Sequence, residues 1–301
     1  MSATTTREHR LDDDQVDFYD RNGYLILRNR IPAGLLDDLR RATEQWMDQG
    51  RLHAGPTGQE ADFKFASRDG DEVMFRVDYV HGKGSAVSLQ LLGSPHILGI
   101  AESLAGPNFV PTYESLVFKA EGDGAPIAWH QDAVHPRNHR IFNIDIYLDD
   151  SLAGQGALRV VPGSQRGPAD ICALTEESDW DLPGAIEVEL RPGDVLVHDT
   201  MIVHGSPATR GNALRRTIYY EFRPAEQILA EGPWDAAWVD TRLRLLPLGL
   251  AAYADRPDAG DLYQWRVDEA LRPVPVGDAE AELRVVHTAH TPGAFCSAGS
   301  V

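Results

Sequence analysis

Ala128-Trp129-His130-Gln131-Asp132 is the stretch around which the rest of the chain can be read. In an extended strand, side chains at i and i+2 share a face. His130 and Asp132 therefore present an imidazole and a carboxylate to one point, while Gln131 faces away. A second imidazole arrives from far downstream in Val203-His204-Gly205, and Arg215-Arg216-Thr217 follows in a strand-like run. A guanidinium fixed there can hold a carboxylate bidentately. Thr217 shares its face and can add a hydroxyl hydrogen bond, whereas Arg216 points the other way and reads as a surface cation.

Outward from this stretch, the sequence has a period of two. Runs at 110–119, 126–132, 141–148, 156–161, 186–191, 194–199 and 214–222 are separated by Gly, Pro and Asp turns. Helical spacing dominates before Phe109. Asp12-Asp13-Asp14 supplies a cap and acidic first turn for a helix ended by Gly23. Tyr24 to Leu27 reads as a strand, and Pro32 opens a second helix with Leu35, Leu39, Ala42 and Trp46 on one stripe and Gly50 as its stop. Phe75 to Val80 alternates as a strand. Ser94-Pro95 opens a third helix that stops at Gly106-Pro107. Helices followed by short strands, without βα alternation, predict one domain over 1–301, mainly β with flanking helices.

Several segments carry looser expectations. Residues 1–11 read as disordered, 51–72 as an irregular connection and possible lid, and Gly163 to Gly184 as an insertion covering the site. The jelly-roll core is expected over about 109–223. A C-terminal extension follows over 224–301, helical between Trp234 and Tyr253 and fraying at its end.

Composition narrows the classes. Hydrophobic residues at 43% and charged residues at 25% are ordinary for a globular chain. A net charge of −18 argues against a nucleic-acid partner, because phosphate binding needs a basic patch. With only Cys172 and Cys296, no disulfide framework or cysteine zinc site is expected. No membrane span or signal peptide is read, so the expected location is the cytoplasm. Oligomeric state is not readable.

Two neutral imidazoles and a carboxylate on one face of a metal form the facial triad of non-haem Fe(II) oxygenases. Ligation needs these groups neutral and ionised respectively, as they are at neutral pH. His198 is the competing ligand, and His135 and His139 fall in a loop that meets solvent or substrate.

The order His-x-Asp, distant His, Arg-x-Thr resembles the Fe(II)/2-oxoglutarate oxygenases of the phytanoyl-CoA dioxygenase family. Trp129 to Asp132, Leu148-Asp149-Asp150, Gly156 to Ser164, Pro192-Gly193-Asp194 and His204-Gly205-Ser206 carry the likeness, which spans about Asp12 to Arg223. The resemblance implies a double-stranded β-helix, a cupin-like jelly roll with the metal at its mouth. It implies Fe(II) on His130, Asp132 and His204, with 2-oxoglutarate and O2 as co-substrates. The distal carboxylate of 2-oxoglutarate would meet Arg215, assisted by Thr217 and Lys119. Related halogenases carry Gly or Ala in place of the carboxylate, so Asp132 argues for hydroxylation or another oxidation.

Asn143, Asp145 and Tyr147 share one strand face and are the substrate candidates. Many relatives carry an aromatic residue at the position of Asp145. Its charge, with the acidic balance, suggests a hydroxylated or amine-bearing natural-product intermediate. A CoA thioester fits less well, because no basic cluster appears for its phosphates. Two rivals remain: a cupin-type metal enzyme without 2-oxoglutarate, and a non-catalytic small-molecule-binding jelly roll.

Overall fold

Asp12 caps the first helix as its sequence predicts: its carboxylate accepts from the Gln15 backbone at 2.8 Å, and the Gln15 side chain answers to the Asp12 backbone at 3.0 Å. The computed structural model describes residues 9–52, 62–68, 71–119, 125–178, 180–209, 214–274, 282–283 and 294–295. Its elements run α1 (Asp13–Asn22), β1 (Tyr24–Leu27), α2 (Ala33–Leu52), β2 (Phe63–Arg68), β3 (Asp71–Asp78), α3 (Val87–Leu92) and α4 (Pro95–Ala105). Strands then dominate: β4 (Phe109–Lys119), β5 (Ile127–Gln131), β6 (Phe142–Tyr147) and β7 (Leu158–Val160). After α5 (Ile171–Ser178) come β8 (Ile186–Val188), β9 (Val195–Asp199), β10 (His204–Ser206) and β11 (Arg215–Pro224). Helices α6 (Ala225–Glu231), α7 (Ala236–Leu243) and α8 (Leu245–Ala254) precede a short β12 (Ala294–Phe295).

The strands form two antiparallel sheets, the double-stranded β-helix that the sequence implies. The larger has the order β1-β9-β6-β11-β4-β3-β2, and the smaller β12-β5-β10-β7-β8. Directly paired residues share a face, so the register sorts the large sheet into two sides. Phe142, Ile144, Ile146, Ile218, Phe222, Leu116 and Val197 point outward into one apolar core with Leu39, Trp46, Ile97, Ile100 and Leu246 of the helices. Trp46 and Leu39 are fully buried. Each such side chain contributes about 1.5–3 kcal/mol of apolar burial, which holds the helices against the sheet. The inner face meets the small sheet through a second cluster of Tyr147, Leu158, Val160, Val188, Leu190, Leu196 and Ile202.

Some expectations need correction. α2 runs past Gly50 to Leu52; Gly50 is buried where a Cβ would strike Met74 and Phe63, so it permits close packing and does not stop the helix. Within 51–72, residues 53–61 and 69–70 lie outside the described set, and Phe63–Arg68 is an edge strand paired with β3. Residues 1–8 are likewise outside it, while Leu11 is buried with its backbone N–H on Ser103 Oγ at 3.0 Å. The described residues of the 163–184 insertion pack on the small sheet. Its Ile171, Leu182 and Trp180 pack on Trp129 and Val203, which alternate with the histidines and so lie on the back of the small sheet. Arg216 is no surface cation: it is buried, and it clamps Asp149 through 2.8 and 2.9 Å hydrogen bonds while donating to Arg40 and Thr43 of α2.

Candidate metal and co-substrate site

His130 and His204 stand opposite one another on β5 and β10, and their ring centroids are 4.1 Å apart. The strands can come this close because residue 205 is glycine; a Cβ there would lie 3.0 Å from the Ile127 carbonyl oxygen and 3.1 Å from the Trp129 nitrogen. Each ring is oriented from behind in the same way. His130 Nδ1–H donates to the Ala128 carbonyl at 2.7 Å, and His204 Nδ1–H to the Ile202 carbonyl at 2.9 Å. Both Nε2 lone pairs are thereby left facing inward, the tautomer a metal requires.

Asp132 completes the set one residue beyond β5. Its Oδ1 lies 3.3 Å from His130 Nε2 and its Oδ2 3.7 Å from His204 Nε2. One ligand atom from each of the three residues falls within 4.8 Å of the others. An ion held at about 2.0–2.2 Å from nitrogen and oxygen donors fits that spacing. The electrostatics agree. Burial, helped by His130, pulls the His204 imidazole down to about 3, so it stays neutral. Burial raises the Asp132 carboxyl, but His204 and His130 outweigh it and hold it well below the usual carboxylate range. The histidines are buried, while the Asp132 side chain keeps 30% of its surface, so the site opens on the carboxylate side.

Arg215 and Lys119 are direct partners across β11 and β4, on the inner face with Thr217. The Arg215 guanidinium donates to the Gly156 carbonyl, and Lys119 Nζ to the Pro207 carbonyl at 3.0 Å. These acceptors precede β7 and follow β10, so the two cations bridge the sheets beside the metal strand. Thr217 is buried between Tyr147 and Val117.

The substrate trio does share the inner face, but each member is engaged by a different partner. Asn143 Nδ2 donates to Asp132 Oδ2 at 2.9 Å. Asp145 is fully buried with its Oδ2 3.2 Å from His198 Nε2, and burial pushes its carboxyl up. Tyr147 belongs to the apolar cluster between the sheets. The His198 ring lies 4.8 Å from that of His204, tilted by 58°, with its Nε2 toward Asp145 and outside the ligand set. Burial lowers this ring, but Asp145 prevails and it is pushed up to about 9. His135 and His139 are both half-buried. Burial and Arg137 pull His135 down to about 4.

Two further groups support the site. Gln131 is fully buried behind the ligands, donating to the Met201 and Gly167 carbonyls and accepting from Ala169 N–H at 2.9 Å. Its polarity on a buried strand face is the signal that marks it, since such a side chain must find partners. Arg137 Nη1 donates to both oxygens of the buried Asp199, at 2.8 Å each. No sequence pattern joins those two positions.

A sequence model of the phytanoyl-CoA dioxygenase (PhyH) family matches residues 19–217. The chain belongs to that family. A relative from Stutzerimonas stutzeri, a probable alpha-ketoglutarate-dependent hypophosphite dioxygenase, is 26% identical over 199 residues, covering 60% of this chain and 69% of its own. AviO1 from Streptomyces viridochromogenes Tue57 superposes with a TM-score of 0.60 at 24% identity, over 78% of this chain and 100% of that one. EctD from S. alaskensis, solved with 2-oxoglutarate and 5-hydroxyectoine, gives a TM-score of 0.59 at 20% identity over 75% and 79%. The PhyH relatives are dioxygenases of the iron and 2-oxoglutarate type that act on small molecules. Among the described residues no helix is long and apolar enough to cross a membrane.

Proposed function

We propose that this PhyH-family chain is an Fe(II)/2-oxoglutarate-dependent dioxygenase that hydroxylates or otherwise oxidises an unactivated C–H bond of a small polar molecule, a natural-product intermediate being the leading class. The observation that carries the reading is the convergence of His130 Nε2, His204 Nε2 and an Asp132 oxygen, with both imidazoles locked in the metal-binding tautomer. Bound Fe(II) with 2-oxoglutarate supplies O2 activation, in which decarboxylation to succinate and CO2 is coupled to substrate oxidation.

The chain's own residues do the positioning. His130, His204 and Asp132 hold the metal from one side and leave its other side to ligands. Arg215, Lys119 and Thr217 receive the far carboxylate of 2-oxoglutarate, where two cations face one anion across a strand pair. The apolar cluster around Tyr147 and Leu196 closes one end of the barrel and keeps water from it. The opposite half of the inner face carries Lys64, Arg76, Asp78 and Tyr113, with Arg76 Nε 3.0 Å from Asp78 Oδ1. That polar lining favours a polar substrate over an acyl chain. Asp132 fills the carboxylate place, which supports oxidation over halogenation.

The test is O2-dependent succinate formation from 2-oxoglutarate by the iron-loaded protein. Succinate that appears only with iron and rises with a matched polar substrate supports the reading. Metal binding without any 2-oxoglutarate consumption would favour the cupin-type alternative.

A further inference from the structure

The two histidines of the triad are each oriented by the carbonyl two residues before them, Ala128 and Ile202, but Asp132 has no such arrangement. It lies just past the end of β5, and its side chain is the most open of the three. The hydrogen bond that fixes it comes from across the barrel, from Asn143 Nδ2 to Oδ2 at 2.9 Å. A carboxylate can only accept, so the amide must present its NH2 group, and the identity of the contacting atom follows. Asn143 is itself held in register at the centre of the large sheet, between Glu221 of β11 and His198 of β9.

We propose that Asn143 is the positioning residue for Asp132, engaging Oδ2, which also lies 3.7 Å from His204 Nε2, so that Oδ1, 3.3 Å from His130 Nε2, is the oxygen offered to the metal. A carboxylate bound through one oxygen leaves three of six positions for other ligands. Those positions would be left to 2-oxoglutarate and O2. Without the amide, the carboxylate would turn freely, so that the metal would be held less firmly and either oxygen could compete for a position that 2-oxoglutarate needs. Asn143 thus acts on co-substrate binding through Asp132 and does not select the substrate.

The inference rests on the metal reading above, and one experiment separates their failures. Wild type, Asn143→Leu and Asn143→Ser are titrated with Co(II), and their visible spectra are followed as 2-oxoglutarate is added; thermal unfolding reports on the fold. Leu keeps the approximate shape of Asn without the donor, and Ser covers the case in which Leu fails to fold. The expected result is metal affinity lowered about tenfold, the range for removing a group that supports a ligand. A Co(II) spectrum altered before 2-oxoglutarate is added, and 2-oxoglutarate affinity reduced about tenfold, are expected with it. A folded variant with wild-type spectrum and affinities overturns the role of Asn143 alone. Absence of Co(II) binding in wild type overturns the metal reading and this inference together.

Discussion

His130 and His204 are direct partners across the β5–β10 ladder, and that register places their rings 4.1 Å apart. Any change that shifts this ladder should therefore act on metal binding before it acts on the fold.

Gly205→Ala tests that relationship. The new methyl group would press on the backbone at Ile127 and Trp129, which cannot turn aside, at 3.0–3.2 Å. We expect metal affinity to fall at least tenfold, with stability lowered by about 1–3 kcal/mol as for other overpacked sites. Gly50→Ala meets the side chains of Met74 and Phe63, away from the metal strands, and should leave metal affinity unchanged. Calorimetric metal titration of both variants provides the comparison.

Arg215→Ala should raise the 2-oxoglutarate concentration for half-saturation roughly 10- to 100-fold, the worth of a charge-assisted hydrogen bond of about 1.5–3 kcal/mol. Thr217→Val should raise it roughly 10-fold, because it removes a single hydroxyl bond to the charged carboxylate, at the low end of the same range. Metal affinity should hold in both, since neither residue is a ligand. Equal losses of metal and 2-oxoglutarate binding would mean that the two residues support the fold and not the co-substrate.

Gln131→Leu should destabilise the protein by about 3 kcal/mol, because it leaves the Met201 and Gly167 carbonyls and the Ala169 N–H without their buried partner. Chemical denaturation with the transition slope unchanged would measure it. A loss under 1 kcal/mol would show that the loop does not depend on this side chain.

Stability should fall in acid through histidines buried in the neutral form. Burial, with Arg242 nearby, pulls His81 down to about 3; burial takes His96 and His135 down to about 4. In the unfolded chain these rings titrate near 6.5. Between those values the unfolded state binds protons that the folded state refuses, so the contribution of these three rings is complete above about pH 6.5 and declines toward pH 3. Denaturation midpoints from pH 7.5 to 4 should show this slope. His81→Phe should flatten it, and an unchanged slope would remove His81 from the account.

Much of this architecture can be read directly from the sequence, because it depends on local periods. The i, i+2 spacing of His130 and Asp132, the alternating strands and the Asp12 cap are all properties of short windows. β10 escapes that reading: its three residues are too short to show a period, and only the His-Gly-Ser motif marks the place. The shared face of Asn143, Asp145 and Tyr147 is legible, but what each meets is not. Asp132, His198 and Leu158 reach them through sheet register and the closure of the barrel. Arg216 shows the same limit: alternation correctly turns it away from Arg215, while its partners Asp149 and Thr43 follow from how α2 lies on the sheet.

The most direct measurement adds Fe(II) and then 2-oxoglutarate without oxygen, and looks for the weak visible charge-transfer band of the chelate. The band should appear in wild type and be lost at the same 2-oxoglutarate concentration in Arg215→Ala, with the fold and iron binding retained. A wild-type protein that binds iron yet gives no band, or an Arg215→Ala variant whose band forms at wild-type 2-oxoglutarate concentrations, would contradict the site described above.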